Sequence, residues 1–358
     1  MNKKTENILI YRLGSLGDMI VALPIFHLLR RLYPNANIYL LTNYPVSEKT
    51  VRPEELFRNT GLIDGYISYP LYLRKFKDRL MLYRKLRSFS FARLIYLAEP
   101  RGFLKIFRDI LFFKSCRIRK ISGLCLKKDL RQNRYFLETN LYEQETVRLL
   151  RCFDPRGSIA LDQAINWQLY LGADEINQAK KIISQAENPD QIVTCSVSAK
   201  TETSIWPIEK WIEVFKLIKT NGFKATFIFI GSKSEYEVSQ TLIKRSGISA
   251  LNLCGKTTIR ISAALIKQSR FFIGQDTGPS HLAQALGVFV FALYSGYGQL
   301  GRWFPYGFKN MVVYPQCRSS KCRYQLCDRS KKSCIARLKV LDVYSKLSEL
   351  LSNLKDPS

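Results

Sequence analysis

The sequence predicts an α/β protein made of two doubly wound, Rossmann-like domains. Short apolar runs of strand length alternate with amphipathic runs of helix length, and this alternation occurs in two series. A stretch punctuated by proline and glycine lies between the two series. The chain has 358 residues, more than one ordinary core accommodates, so about two domains are expected.

The first series begins with a β-α-β unit. Residues 8–11 form an apolar strand that ends in a glycine-bearing turn, and the amphipathic residues 19–33 predict one long helix. Residues 37–41 then predict a second, parallel strand. Further helices are predicted at 54–59, 77–87 and 143–153, and further strands at 65–69 and 93–97. We assign residues 1–160 to an N-terminal domain.

The second series begins at residue 191. Strands are predicted at 191–196, 225–230, 250–253, 271–273 and 288–293, with helices at 208–220, 234–246, 260–267 and after Gly278. Residues 161–190 are the predicted interdomain region. Residues 191–358 are the predicted C-terminal domain, which ends in a basic, cysteine-containing segment and a helix. Two facing domains of this kind form a cleft at the carboxyl ends of their strands.

Two polar turns follow strands at this predicted edge. The first runs from Gly14 to Asp18 and lacks the third glycine of a dinucleotide-binding fingerprint. The second runs from Gly274 to His281, and its Pro279 suits the first turn of a helix. Such a turn presents free N–H groups and the positive end of a helix dipole, which suit a phosphate. We predict that both turns line one site.

The formal charge of +27 is concentrated in two segments. Residues 72–134 contain 19 Lys and Arg against 4 Asp and Glu, and residues 301–339 contain 10 against 1. Such patches favour a polyanionic partner, either nucleic acid or an anionic membrane that carries phosphorylated glycolipid. No apolar run reaches the ~20 residues of a membrane span, and the N-terminus lacks a secretory signal, so we expect a cytoplasmic protein.

Residues 103–114 predict a helix whose aromatic and aliphatic side chains gather on one side at helical spacing, with the cations Lys105, Arg108 and Lys114 on the other. Two interpretations stay open. The helix either lies on a membrane surface or packs in the core of the first domain. It is too short to span a bilayer.

Nine cysteines without a secretory signal indicate reduced thiols. Near the C-terminus, four, four and six residues separate Cys317, Cys322, Cys327 and Cys334, which is not the spacing of a zinc ribbon. Free thiols are expected there, and a four-thiolate metal site is the alternative. The second turn has no D-x-D pair for Mg²⁺, and two isolated histidines do not make a zinc site, so we predict no metal.

Several polar side chains near the turns have both a structural and a functional interpretation. Asp18 either caps its helix or takes a proton from a hydroxyl group, late in the reaction because the ordinary pKa of aspartate is about 4. His281 either packs within its helix or contacts a leaving phosphate. In the loop that follows the strand at 191–196, packing explains Trp206 and the start of a helix explains Pro207. Lys200 in the same loop could reach a diphosphate.

Two motifs make the chain resemble glycosyltransferase family nine, the ADP-heptose:lipopolysaccharide heptosyltransferases and their relatives. The first motif spans residues 9–24 and contains the run Gly14-Ser15-Leu16-Gly17-Asp18. The second spans residues 273–283 and contains the run Asp276-Thr277-Gly278-Pro279-Ser280-His281. Both occur in the order and at the separation of that family.

The resemblance implies a GT-B fold, an inverting transfer and no catalytic metal, and we expect no cofactor. Asp18 would be the general base on the acceptor hydroxyl, in an acceptor-binding N-terminal domain where Gly14, Ser15 and Gly17 lie on the acceptor side. Asp276 would bind hydroxyls of the donor sugar, and the diphosphate would be held by Thr277, Gly278 and His281. Ser204 stands where the family has a lysine or arginine, and Lys200 would substitute for that cation at the donor.

We therefore expect an enzyme on the inner face of the cytoplasmic membrane that moves a sugar, expected to be heptose from ADP-heptose, onto a lipopolysaccharide core or related glycan. Its expected partners are the nucleotide sugar, a phosphorylated glycolipid and the anionic membrane surface, without nucleic acid. Three alternatives remain: a transferase for another nucleotide sugar, a GT-B-type nucleotide-sugar epimerase and, least favoured, a nucleic-acid-binding protein, since no binding module is recognisable.

Overall fold

The computed structural model describes residues 5–43, 51–70, 75–99, 102–154, 157–199, 204–296, 299–307, 309–316 and 334–353. The chain divides into two compact units. Unit 1 comprises Met1–Phe136 and Tyr142–Tyr170, and unit 2 comprises Leu137–Leu141 and Leu171–Ser358. Each unit is built on its own parallel β-sheet, which confirms the predicted Rossmann-like α/β fold class.

The sheet of unit 1 has five strands in the order β3-β2-β1-β4-β5, and all neighbours are parallel. The strands are β1 (Asn7–Tyr11), β2 (Asn37–Asn43), β3 (Gly65–Tyr69), β4 (Arg93–Tyr96) and β5 (Lys120–Ser122). The helices are α1 (Leu16–Val21), α2 (Leu23–Leu32), α3 (Pro53–Leu56), α4 (Phe76–Ser88), α5 (Phe103–Ser115) and α6 (Glu145–Phe153). Separately, β6 (Tyr135–Phe136) pairs with β7 (Leu141–Tyr142).

The predicted single helix over residues 19–33 is wrong, because the structure contains two helices, α1 and α2, that meet at Ala22. Pro24 lies at the start of α2. Proline has no N–H to donate to the carbonyl four residues earlier, and its ring clashes with that carbonyl, so the first helix cannot continue through it. The separate α1 begins at Leu16, which places Gly17 and Asp18 inside a helix rather than in the preceding turn.

The sheet of unit 2 has six parallel strands in the order β10-β9-β8-β11-β12-β13. The strands are β8 (Ile192–Ser196), β9 (Thr226–Phe229), β10 (Ala250–Asn252), β11 (Phe271–Gln275), β12 (Phe289–Leu293) and β13 (Asn310–Val313). The helices are α7 (Ala173–Ile183), α8 (Ile208–Thr220), α9 (Tyr236–Ser246), α10 (Ile259–Lys267), α11 (Gly278–Ala285) and α12 (Val340–Asn353). Helix α7 lies within residues 161–190 and packs against α10.

Both sheets contain a topological switch point, where the chain turns from building one side of the sheet to building the other. In unit 1 it lies between β1 and β4, and in unit 2 between β8 and β11. Ligands of open α/β sheets bind outside the carboxyl ends of the strands at this point. The two predicted polar turns follow β1 and β11, so each occupies the switch point of its own unit.

Trp206 anchors the core of unit 2. It is fully buried, its indole ring packs edge-on against Trp211 at 5.0 Å between centroids, and its Nε1–H donates to the carbonyl of Leu338 at 3.3 Å. The packing interpretation of Trp206 is therefore confirmed. Its position also ties the start of α8 to the segment before α12.

Candidate functional site

The first turn holds the Asp18 carboxylate through a capping box. Ser15 is the N-cap residue of α1, and Asp18 follows three residues later. The Asp18 Oδ2 atom accepts the Ser15 main-chain N–H at 2.8 Å and the Ser15 hydroxyl at 3.3 Å. The interpretation of Asp18 as the N-cap residue is therefore wrong by position, since Ser15 fills that place. Oδ2 is engaged by this cap, whereas Oδ1 is not.

Gly14 is required by the position of that carboxylate. Its φ of +122° lies in the region that favours glycine, and a Cβ atom built on it would overlap the carboxylate of Asp18. Its N–H donates to Asn43 Oδ1 at 3.3 Å. Gly17, by contrast, is buried within α1. Of the three residues predicted on the acceptor side, Gly14 and Ser15 thus shape the surroundings of Asp18 directly.

Arg12 is a member of this site that the sequence interpretation missed. It directly follows β1, and its guanidinium is fully buried. Nε donates to the main-chain carbonyl of Asp18 at 3.1 Å, and Nη1 donates to the carbonyl of Leu97, just after β4, at 2.8 Å. Nη2 lies 3.5 Å from Asp18 Oδ1. The sequence indicates this role of Arg12 only by placing a cation immediately after a predicted apolar strand.

The second turn is fastened by Gln275, which was also missed. This fully buried side chain accepts the main-chain N–H of Trp206 at 2.6 Å and donates to the carbonyl of Val197. Its own carbonyl accepts the Ser280 hydroxyl at 2.6 Å and the Thr277 hydroxyl at 3.3 Å. The loop after β8 and the start of α11 are therefore held together by one residue.

Asp276 presents a carboxyl group without a compensating charge. Its main-chain N–H donates to the carbonyl of Leu293, which anchors the turn to β12. No side chain in the described ranges forms an ion pair or hydrogen bond with its carboxyl group, and burial raises the pKa of Asp276 to about 7. The nearby Tyr294 hydroxyl is buried and, within those same ranges, has no hydrogen-bond partner; burial, with the charge of Asp276, raises its pKa.

The start of α11 offers neutral hydrogen-bond donors. Thr277 is the N-cap residue, and neither its main-chain N–H nor that of Gly278 meets an acceptor within the described segments. His281, in the first turn, is buried and contacts the edge of Trp303 at 6.2 Å between ring centroids. Burial lowers the pKa of His281 to about 4, so its imidazole is neutral at pH 7. Together with the helix dipole, these groups suit an anion.

The donor contacts predicted for Ser204 and Lys200 stay predictions. Ser204 is buried in the loop before α8. Lys200 lies outside the described residues.

Of the four C-terminal cysteines, Cys317, Cys322 and Cys327 also lie outside the described residues. Cys334 is described, and its sulfur accepts the Gly296 N–H at 3.1 Å. In the part of the chain that the structure describes, no group of three or more His, Cys, Asp or Glu side chains is arranged to hold a metal ion.

Sequence comparison and structural comparison both find heptosyltransferases or other family 9 glycosyltransferases. The family model of glycosyltransferase family 9 (heptosyltransferase) matches residues 154–333, half of the chain, and this match includes the second polar turn. A curated relative is the lipopolysaccharide core heptosyltransferase OpsX of Haemophilus influenzae, which is 23% identical over 86% of this chain and 84% of its own length.

Two solved structures share the fold over nearly their whole length. The family 9 glycosyltransferase of Veillonella parvula has a TM-score of 0.73 at 16% identity and covers 99% of both chains. The ADP-heptose LPS heptosyltransferase II of E. coli has a TM-score of 0.66 at 16% identity and covers 98% of this chain and 100% of its own. These likenesses confirm the GT-B fold. The chain is therefore a glycosyltransferase that belongs to family 9, the heptosyltransferase family.

Proposed function

We propose that this enzyme moves heptose from ADP-heptose onto a lipopolysaccharide core acceptor, with inversion at the anomeric carbon. One observation carries the proposal. In this family 9 chain, the carboxylate of Asp18 is held at the switch point of unit 1, and the start of α11, which suits an anion, lies at the switch point of unit 2. The names of OpsX and of the E. coli enzyme support this donor and this acceptor. Family membership does not favour an epimerase or a nucleic-acid-binding protein.

On the acceptor side, Asp18 acts as the general base. The acceptor hydroxyl oxygen forms a bond to the anomeric carbon while the bond from that carbon to the diphosphate breaks. The hydroxyl proton becomes acidic as the new bond forms and passes to Asp18. Oδ2 already accepts two hydrogen bonds from Ser15, whereas Oδ1 has a longer contact of 3.5 Å with Arg12 Nη2, so we assign this proton to Oδ1.

On the donor side, α11 binds the diphosphate and Asp276 binds the sugar. The N–H groups of Thr277 and Gly278, at the positive end of the helix dipole, donate to the phosphate oxygens, and the neutral imidazole of His281 donates a further hydrogen bond. These donors stabilise the negative charge that develops on the leaving ADP. The carboxyl group of Asp276 accepts hydrogen bonds from heptose hydroxyls, which supply partners that the described residues do not provide.

A transfer assay tests the donor and the acceptor together. The enzyme is incubated with ADP-heptose and a heptose-free lipopolysaccharide core, and products are followed by ADP release, by mass spectrometry and by NMR of the anomeric proton. We expect one added heptose of inverted configuration, with full activity in excess EDTA. Transfer from a different nucleotide sugar only, or donor turnover without acceptor, would contradict the proposal. A thermal-shift panel of nucleotide sugars identifies the preferred donor, since a ligand at 100 times its Kd stabilises by about 2.7 kcal/mol.

We also propose that α5 attaches the enzyme to an anionic membrane surface. Ile106, Asp109 and Phe113 pack inward, while four apolar side chains remain exposed. The exposed fractions are 55% for Phe103, 81% for Leu104, 50% for Phe107 and 53% for Leu111. Exposed cations lie beside this stripe, and residues 72–134 carry a large positive excess. Apolar side chains flanked by cations suit shallow insertion into an anionic leaflet.

Vesicle flotation tests this attachment. We expect binding to vesicles that contain anionic phospholipid, weak binding to zwitterionic vesicles, and a loss of several-fold on Leu104→Ser. Leu341→Ser is the matched control, because Leu341 is likewise a solvent-exposed leucine, at 69%, but lies on α12 of unit 2. Equal losses for both variants, or equal binding to both vesicle types, would contradict the proposal. None of the helices in the described ranges is long and apolar enough to cross a bilayer.

A further inference from the structure

The Asp18 site continues inward through buried charged groups. Arg12 Nη1 lies 3.8 Å from Glu145 Oε1, and the side chains of both residues are completely buried. Glu145, the first residue of α6, accepts Arg148 Nη2 at 2.6 Å and Arg148 Nε at 3.0 Å. Arg148 is completely buried as well. With Asp18, the cluster carries two positive and two negative charges, so it is neutral as a whole.

Further hydrogen bonds fix the positions of Arg148 and Glu145 in this cluster. Arg148 Nη1 donates to the Leu130 carbonyl at 3.2 Å, and Asn133 Nδ2 donates to Glu145 Oε2 at 3.3 Å, which fixes the pair on its inner side. Breaking a buried ion pair by removing one partner is strongly destabilising, because the remaining charge stays desolvated. The guanidinium group of Arg12 thus lies against the Glu145 carboxylate, and its nitrogens also donate to the main-chain carbonyls of Leu97 and Asp18.

We propose that Arg12 and Glu145 are positioning residues for the transfer reaction, because they fix the first turn of α1 and thereby the carboxylate of Asp18. The bond from Arg12 Nε to the Asp18 carbonyl holds the main chain, and the Ser15 cap holds the side chain. Small displacements of a catalytic group by about 1 Å can cost 100-fold in rate. This proposal rests on the role of Asp18 in the proposed function.

The expected effect is confined to kcat. Glu145→Gln keeps the shape of the side chain but loses the charge that confines Arg12, and we expect kcat to fall about 10-fold. The KM values for ADP-heptose and for the core acceptor should stay within about twofold, because neither residue is placed at a ligand. Arg30→Lys is the control, since Arg30 forms a 2.7 Å ion pair with Asp64 in the same unit, away from Asp18.

A double-mutant cycle with Asp18→Asn separates positioning from general stabilisation. If Glu145 acts through Asp18, Glu145→Gln will not lower the residual single-turnover rate of Asp18→Asn any further. An additive loss, a rise in either KM, or an unchanged kcat would overturn the proposal. Should Glu145→Gln fail to fold, as judged by circular dichroism, Arg12→Lys enters the same cycle. Full transfer by Asp18→Asn alone would instead refute the proposed function, which keeps the two failures distinct.

A different observation supports a second proposal, at a pair of cysteines beside Arg148 in unit 1. The sulfur atoms of Cys125 and Cys152 lie 2.7 Å apart, about 0.7 Å longer than a disulfide bond, and Arg148 Nη1 lies 3.6 Å from each. The hydrogen bond from the Cys152 thiol, with help from the charge of Arg148 and against the effect of burial, lowers the pKa of Cys125 to about 7. A thiolate is the reactive form of cysteine.

We propose that this pair is a site of reversible oxidation by hydrogen peroxide. The Cys125 thiolate attacks one peroxide oxygen, the O–O bond breaks, and a sulfenic acid and hydroxide form. The Cys152 thiol then attacks the sulfenic sulfur, its proton leaves with the hydroxyl group as water, and a disulfide results. Two thiols are oxidised and one peroxide is reduced, and a dithiol reductant reverses the step.

Non-reducing peptide mapping of the full chain after peroxide treatment tests this site. We expect a peptide pair linked through Cys125 and Cys152, with the loss of two hydrogens and at least 10-fold faster reaction than at Cys254, whose pKa burial raises to about 11. In Cys152→Ser, dimedone should instead trap the sulfenic acid at Cys125. Unlinked thiols in the wild type, or equal reactivity of Cys254, would overturn the proposal.

Discussion

The two polar turns have the same local design and opposite electrostatics. Each follows a parallel strand at a switch point and opens a helix, and each contains an aspartate near the helix start. Asp18 is capped by Ser15 and faces the buried cation Arg12. Asp276 meets no cation among the described residues, and burial raises its pKa to about 7.

This difference separates a group that must be fixed from a group that must receive a ligand. The surroundings of Asp18 are satisfied before any substrate binds, which suits a base that needs a defined position. At the second turn, the Asp276 carboxyl group and the nearby Tyr294 hydroxyl lack partners among the described residues, and unsatisfied buried polar groups are costly. A sugar that supplies those partners is bound more tightly than one that does not.

The largest effect is expected from Asp18→Asn. The amide keeps the size of the side chain but takes no proton, and we expect kcat to fall about 10³-fold, within the range for general bases. The affinity for ADP-heptose, measured by calorimetry, should change less than twofold. Asp64→Asn, which removes the partner of Arg30, is the control. Strong residual transfer would eliminate Asp18 as the base.

Gly14→Ala tests whether the first turn is rigid. The new Cβ would overlap the Asp18 carboxylate, so the carboxylate must move, and we expect kcat to fall by about 10- to 100-fold. Gly61→Ala is the matched control, because Gly61 also has a positive φ of +69°, but a methyl group added there would meet no described atom within 4 Å. Both changes strain the backbone, so similar activities for the two variants would argue against the overlap as the cause.

Asp276→Ala tests ligand recognition in the second turn. We expect binding of ADP-heptose to weaken about 10-fold, equivalent to about 1.4 kcal/mol, whereas binding of free ADP should change little. Calorimetry with both ligands measures the difference directly. Equal losses for ADP and ADP-heptose would place Asp276 at the nucleotide instead of the sugar.

The smallest effect concerns the pH dependence of stability. The pKa of Asp276 is about 7 in the folded chain and about 4 when unfolded, so the folded chain binds more protons between these values. Its contribution to stability is present below pH ~4 and is lost as the pH rises through ~7. Asp276→Asn removes this dependence.

Thermal unfolding of both proteins between pH 5 and 8 measures the difference. We expect the Tm of Asp276→Asn relative to wild type to rise by a few degrees across this interval, because about 1 kcal/mol corresponds to 2–4 °C for units of this size. The buried His281 contributes the opposite slope between pH ~4 and ~6.5, but it is present in both proteins and cancels. A pH-independent difference would contradict the raised pKa.

Local pattern predicted most of the fold. The alternation of apolar strands and amphipathic helices depends on neighbours in sequence, and it predicted the parallel sheets and both polar turns. The short edge strands β5 and β13, of three and four residues, were missed because so few residues show no periodicity. The break between α1 and α2 was missed although Pro24 signalled it.

By itself, the sequence determined that Asp18 and Asp276 follow apolar strands near the start of a helix, because the strand and helix periodicities change there. Only the tertiary structure decided their surroundings. Glu145 reaches Arg12 from a distant part of the chain, and the Trp206 N–H reaches Gln275 across 69 positions. Such contacts depend on the order and register of parallel strands whose connections lie far apart in the chain. Local patterns encode the periodicity of an element, whereas compensation of a buried charge requires that distant elements meet.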